Sequence, residues 1–409
     1  MNAAKTQKAL AGIRVTDLSR VLAGPSCTQI LGDLGAEIIK IEKPGEGDDT
    51  RGWGPPYLKD KDGQDTTESA YYLGCNRNKK SLAVDIKQKE GQEIIHQLLE
   101  KSDILIENFK TGGLAKYGLD YESVKARHPH IIYCSITGFG QNGPLSSEPG
   151  YDFIAQGMSG LMAITGEPDG EPMKAGVALS DIMTGLNAAI GILAALNHRH
   201  TTGKGQHIDV ALLDCTLAAM SNIAQYYLTS GMLAPRLGNA HSAIVPYQVF
   251  ETKDGHIILA VGNNTQFQRL CSFLGKPEWA NDPKFAANSA RVAHRAALVP
   301  MLGAEIIKES SEYWIKGLAD VDVPCGPVNT MDQTFDMEQI KAREMKIDMP
   351  HPLSHKPISL VGSPIKMSDT PPSYDLPPPP CGAHTDEVLR DVLEMNADKI
   401  AALKSKNII

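Results

Sequence analysis

Gly12–Glu42, GIRVTDLSRVLAGPSCTQILGDLGAEIIKIE, is the stretch that decides the fold. Its two ends, Gly12–Leu18 and Ala36–Glu42, are short apolar runs rich in β-branched residues and read as strands. Between them lies a glycine-containing turn, Arg20-Val21-Leu22-Ala23-Gly24-Pro25, and then a helix to about Leu34. Strand, helix and strand in succession predict parallel strands joined by a crossover. The alternation continues outward. Leu82–Asp85 reads as a short strand, Gly91–Leu99 as a helix, and Asp103–Ile106 and Ile131–Ser135 as further strands. The expected class is α/β, with a large domain built on a Rossmann-like parallel sheet. The turn after the first strand has no GxGxxG, which argues against a nicotinamide dehydrogenase. No Walker glycine–lysine motif is present, which argues against nucleotide hydrolysis.

Several loops fall after these strands, where open α/β sheets bind ligands. They include Lys43–Arg51, Glu107-Asn108-Phe109 and the glycine-rich Thr137–Pro144. Lys43, Lys79, Lys80, Lys87 and Lys116 lie in or near such loops, as a phosphate-bearing ligand requires.

Ala175–Leu196, AGVALSDIMTGLNAAIGILAAL, is almost wholly apolar. Ile182, Leu186, Ile190, Leu193 and Leu196 recur at helical spacing, so the stretch reads as a buried helix with Asp181 at its entrance. Two roles fit that carboxylate. It is a helix cap, or it is a nucleophile that carries an acyl group. A helix entrance keeps it ionised, while apolar surroundings strip its hydration. Asp181, Thr184 and Asn187 interrupt the run, which argues against a membrane span.

The 409 residues are 42% hydrophobic and 22% charged, with a net charge of −8, as in a soluble globular protein without a general nucleic-acid surface. The 7 cysteines are scattered without a CxxC pair. That points to a reducing, cytoplasmic setting and to no metal centre. The start, MNAAKTQKALAG, has no apolar core of an export signal. Polar, aromatic and Gly/Pro content rises around residues 225–235, which reads as a linker. Beyond it, two strands around Asp254-Gly255, helices at Gln266–Leu274 and Ala297–Ile307, and Cys325–Val328 form a smaller α+β unit. Pro371–Pro380 is proline-rich and extended, and Thr385 is placed to cap a C-terminal helix. The expected domains are 1–225, 226–330 and a returning segment 331–409.

Taken in order, these tags resemble the class III CoA-transferases of the CaiB/BaiF type. The resemblance is carried by Arg20–Pro25, Gly32–Ala36, Ile39–Glu42, Gly47-Asp48, Asn76–Ser81, Glu107–Phe109, Thr137–Gln141, Gly143-Pro144, Gly150-Tyr151-Asp152, Ala178–Asp181 and Thr202–Gln206. It implies an interlocked homodimer of ring-shaped subunits and a catalytic aspartate at Asp181. It implies coenzyme A, as acyl-CoA substrate, held by Val21, Leu22, Ala23, Lys43, Val84, Lys87, Asn108, Phe109, Lys116, Thr137, Gly138, Phe139 and Gly140. Lys43 and Lys116 stand where the formyl-CoA:oxalate branch has arginines, and that branch's run of four glycines is absent; Gly238–Ile244 is the comparable stretch. The run Ala240–Gln248 is similar to the succinyl-CoA:glutarate branch. Tyr151, Arg236, Gly238, Asn239, His241 and Tyr247 are the expected substrate contacts, with Arg236 and His241 as readers of a dicarboxylate's far end. Gly140 and Gly238 are candidate oxyanion donors.

Two rivals remain. An α-methylacyl-CoA racemase uses a His–Asp pair, and Tyr151 stands where such enzymes carry histidine; tyrosine is a poor base at neutral pH. A non-catalytic CoA-binding protein has no use for Asp181.

Overall fold

The computed structural model describes residues 8–409; residues 1–7, part of the start read as free of an export signal, lie outside the described residues. Six strands form one sheet: β1 (Arg14–Asp17), β2 (Glu37–Glu42), β3 (Lys79–Ala83), β4 (Ile104–Glu107), β5 (Ile132–Thr137) and β6 (His207–Ala211). Their order is β3-β2-β1-β4-β5-β6 and every pairing is parallel. This is the order of doubly wound sheets, whose ligand crevice opens where the order reverses, between β1 and β4. The helices α1 (Ala23–Asp33), α2 (Lys89–Leu99), α3 (Asp152–Met158), α4 (Leu179–Thr202) and α5 (Leu212–Ala219) belong to the same unit. Short two-stranded sheets, Tyr57–Lys59 with Asp65–Ser69 and Lys346–Met349 with Ile358–Val361, complete it.

Three expectations are corrected. The third strand begins at Lys79, three residues before Leu82. Its polar start is buried because Lys79 Nζ donates to Pro25 O and Asn76 Oδ1, both at 2.9 Å. Thr385 caps nothing; its Oγ1 accepts from Ala83 N at 3.0 Å, tying the C-terminal segment to β3. The apolar stripe of α4 is not its core face. Ile182, Leu186, Ile190 and Leu193 are exposed, and Gly185, Ala188, Ala189, Ile192 and Ala195 are buried instead. Small residues let α4 approach α1 closely: a Cβ on Gly185 would meet Ala23 O at 2.6 Å.

The chain divides into two compact units. Among the described residues the first comprises 8–161, 174–230 and 339–409, and the second comprises 162–173 and 231–338. The domain boundary expected at 225/226 falls inside the helix Ser221–Ser230; the parting lies at 230/231, within the 225–235 stretch read as a linker. The second parting lies at 338/339 rather than 330/331. Residues 162–173 join the second unit because Arg236 donates to the carbonyls of Ala163, Glu167 and Gly170. The second unit carries a three-stranded antiparallel sheet of Tyr247–Glu251, His256–Ala260 and Cys325–Pro327. Its core holds Phe250, Phe267, Leu298 and Trp314.

Under the crevice of the first unit lies a buried charge network. Lys40, wholly buried on β2, donates to Ser19 O at 2.8 Å and sits 2.9 Å from Asp48 Oδ2. Asp48 Oδ1 accepts from Thr50 N at 3.0 Å and Val21 N at 3.3 Å. Burial alone would raise the Asp48 carboxyl; Lys40 beside it outweighs that and lowers it to about 2. Asp48→Ala leaves a buried lysine unpaired and should cost about 3 kcal/mol at neutral pH. Because Asp48 is more acidic folded than unfolded, its contribution is lost as the pH falls from about 4 towards 2. Denaturant unfolding of both proteins from pH 7 down to pH 3 checks this; equal stability at pH 7 would refute it.

Candidate active site

Asp181 is the third residue of α4, one turn from the entrance, and is half-buried. It is not the cap. Ala178 holds the cap position without a side-chain bond, and the missing acceptor comes from α3. Asp152 Oδ1 accepts from Ser180 N at 2.8 Å and from Asp181 N at 3.4 Å. Asp152 Oδ2 accepts from Gln156 Nε2 at 2.8 Å, which fixes the carboxylate. Thr216 on α5 donates to Ser180 Oγ at 2.7 Å, anchoring the same turn from its other side. Loss of hydration, and then the charge of Asp152, push the Asp181 carboxyl up to about 7. The helix entrance works in the opposite sense and favours the ionised form. The phenol of Tyr71 is raised to about 12 by burial and then by Asp181, which places it within the field of that carboxylate.

Asp181 and Asp152 line a cavity of about 490 Å³. Its walls include Val21, Ala23, Asn108, Phe109, Thr137, Gly138 and Tyr151 from the expected set, and Arg20, Trp53, Lys110 and Thr111 besides. A neighbouring cavity of about 310 Å³ is lined by Lys43, Val84, Lys87 and Tyr117, and shares Arg20, Asp49 and Phe109 with the first. Together they run from the strand-order reversal to α4. The neighbouring cavity offers Arg20, Lys43 and Lys87 to phosphates, among carboxylates that include Glu46 and Asp85, and the other suits a pantetheine arm ending at Asp181, so the residues fit a CoA thioester.

The loop between β1 and α1 is held under strain. Val21 has φ +71°, rare for a β-branched residue. Asn108 grips it by accepting from Arg20 N at 2.9 Å and donating to Arg20 O at 2.7 Å. Leu22 occupies the cap position of α1. Lys116 lies 4.9 Å over the ring of Tyr117, a wall residue of the neighbouring cavity, and is not itself in that wall. Phe139 and Gly140 are outside both walls.

The two glycine N–H groups expected at an oxyanion are committed elsewhere. Gly140 N donates to Thr137 Oγ1 at 2.8 Å and Gly238 N to Gly166 O at 3.0 Å. Arg236, Gly238, Asn239, His241 and Tyr247 all belong to the second unit. There His241 and Tyr247 come together, ring centroids 5.3 Å apart. His241 Nδ1 accepts from Ala243 N at 3.0 Å, which leaves its proton on Nε2. Arg236 spends three of its donors on backbone carbonyls and serves as a clamp on residues 162–173. Asn239 is exposed. Sequence reasoning missed Asp152 as the cap, along with Tyr71, Trp53, Lys110 and Thr111. Only Asp152 had a signal, in the Gly150-Tyr151-Asp152 tag.

The sequence profile of CoA-transferase family III matches residues 10–385. The chain belongs to that family. As a family III CoA-transferase it is 48% identical to the succinate–glutarate CoA-transferase of Agrobacterium fabrum, over 94% of this chain and 95% of that one. It is 44% identical to the human succinyl-CoA:glutarate CoA-transferase, over 98% of this chain and 90% of that one. A crystal structure of a CAIB/BAIF family protein from Brucella suis, 47% identical, superposes with a TM-score of 0.85 over 94% of this chain and all (100%) of its own.

The Asp152 contact gives a direct test. Asp152→Asn keeps the Oδ1 acceptor and removes the charge, so the helix turn persists while the Asp181 carboxyl becomes more acidic. Carboxyl-carbon NMR should place Asp181 near pH 7 in the wild type and lower in the variant. An unchanged titration would show that burial alone sets it.

Proposed function

We propose that this CoA-transferase moves CoA between dicarboxylic acids, with succinyl-CoA as donor and glutarate or a related C4–C6 diacid as acceptor, and that Asp181 is its nucleophile. The observation that carries the mechanism is the placement of Asp181 in the wall of a cleft that adjoins a cavity containing Lys43 and Lys87. The substrate pair is supported by the relatives named above.

Asp181 attacks the thioester carbonyl, the carbon–sulfur bond breaks, and CoA leaves as thiolate. Asp181 then carries a mixed anhydride with the donor acid. The thiolate attacks the Asp181 carbonyl, releases the donor carboxylate and leaves Asp181 as a thioester of CoA. The acceptor carboxylate attacks that thioester and regenerates an anhydride on Asp181. The returning thiolate takes the new acyl group and frees the Asp181 carboxylate. No net proton is exchanged, but Asp181 must start ionised. Its raised pKa therefore predicts a rate that climbs with pH through about 7. Each anhydride or thioester on Asp181 is open to hydrolysis, so water has to be kept from the cleft. Apolar wall residues such as Val21, Phe109 and Leu212 serve that need.

The protein acts as a homodimer of interlocked subunits. The exposed stripe Ile182, Leu186, Ile190 and Leu193 supports this, since a lone soluble chain rarely leaves such a run in water. α4 is also the one helix among the described residues long and apolar enough to cross a membrane. Its buried small-residue face packs against α1 in the core of the first unit, which favours a soluble, cytoplasmic enzyme.

Incubation with succinyl-CoA should leave a hydroxylamine-sensitive adduct on Asp181, visible by mass spectrometry. Asp181→Ala should lose transfer by at least about 10⁴-fold with CoA affinity retained. Near-normal turnover in that variant ends the mechanism. Light scattering should report twice the 44.1 kDa chain mass at all working concentrations. Wild type should prefer glutarate to its monoacid analogue valerate; equal use of both removes the dicarboxylate reading and leaves the family assignment untouched.

A further inference from the structure

We propose that Lys110, with the Thr111 hydroxyl beside it, receives the distal carboxylate of the dicarboxylate acceptor. This rests on the reading of the cleft just given and names the group within it that selects a diacid. The cavity around Asp181 is acidic: Asp49, Glu148, Asp152 and Asp181 line it, against two cations, Arg20 and Lys110. A diacid brings a further negative charge into this field. In a partly desolvated site such a charge binds only beside a cation or several donors.

Arg20 is already committed. Its Nη1 donates to Asp49 at 2.7 Å and its guanidinium lies 5.4 Å over the ring of Phe109. Lys110 has no acidic partner among the described residues. The Thr111 hydroxyl is buried and has no hydrogen-bond partner. A buried hydroxyl without an acceptor is uncommon and marks a place where one is to arrive. The two donors are neighbours in sequence and both line the cavity of Asp181.

Their backbone is fixed. Asn108 is bonded both ways to Arg20, and Phe109 N donates to Glu107 Oε2 at 2.7 Å. The loop therefore presents Lys110 from the end of β4, at the reversal of strand order, without depending on a mobile segment. A rival duty, binding the phosphates of CoA, falls to other cations: Lys43 and Lys87 line the adjoining cavity and Lys110 does not. Arg236, the candidate favoured by the sequence, is held by backbone carbonyls.

The test uses the full-length enzyme with succinyl-CoA as donor and compares glutarate with valerate as acceptors. In Lys110→Met the glutarate-to-valerate ratio of kcat/KM should fall by about tenfold or more, because a charge-assisted contact is lost. Lys110→Arg should retain the ratio, and Thr111→Val should lower it less than Lys110→Met does. Affinity for free CoA, measured by calorimetry, should be unchanged in all three, which also reports an intact cleft. A wild-type ratio preserved in Lys110→Met overturns the inference while the dicarboxylate reading stands. Lost CoA affinity with an unchanged ratio overturns it too and makes Lys110 a phosphate ligand. A wild type that does not distinguish the two acids overturns both readings together.

Discussion

The first unit depends on a lysine with no access to water. Lys40 stands on β2 and is neutralised by Asp48, and that single pair gathers two loops at the carboxyl ends of the sheet. Ser19 O is bound directly, and Val21 N and Thr50 are bound through the Asp48 carboxylate. A second buried lysine, Lys79, reaches Pro25 O and lies 3.6 Å from Asp17. Asp17 in turn accepts from Ser19 and Thr28. The loop that greets the ligand is thus bolted from beneath at both ends. This is how Val21 is kept at a φ that a free chain would abandon. Buried ion pairs contribute little net stability against an apolar alternative, yet they fix geometry, and here the geometry is the start of the ligand cleft.

Electrostatics divides that cleft into two parts. Away from Asp181, Lys43 and Lys87 stand among carboxylates such as Glu46 and Asp85, and Lys43 is paired with Glu46. At the Asp181 end, two carboxylates stand on adjacent helix turns and one of them caps the helix of the other. The arrangement lowers the cost of a neutral Asp181. An acyl group on Asp181 removes its charge, so Asp152 favours the acylated state over the free carboxylate. The same like-charge contact that disfavours the Asp181 carboxylate would favour the neutral, acylated form that the proposed mechanism requires.

Much of the sheet was legible because its strands are short runs of Ile, Leu and Val separated by turn residues. What misled was polarity and size. Lys79, Lys80 and Ser81 look like loop, and only their buried partners Pro25 O, Glu37 and Glu42 reveal a strand. On α4 the large apolar residues look like the core, but close helix packing selects the small ones, and hydrophobicity alone cannot rank the two faces. In the cleft, Asp181 stood out as a charge in an apolar run. Asp152 did not, because its role is a bond to a backbone 28 residues away in sequence. Arg236 looked like a substrate reader by residue type, whereas the carbonyls that occupy it carry no sequence signature.

Gly185 has a consequence that reaches beyond this chain. Because any side chain there would strike Ala23 O, the helix bearing Asp181 and the helix that begins at the ligand loop are locked at one separation. Changes of preferred acid over evolutionary time cannot be made by shifting these two elements. They have to be made in the wall residues around Asp181, one side chain at a time, so the reacting geometry is inherited whole while the choice of acid drifts.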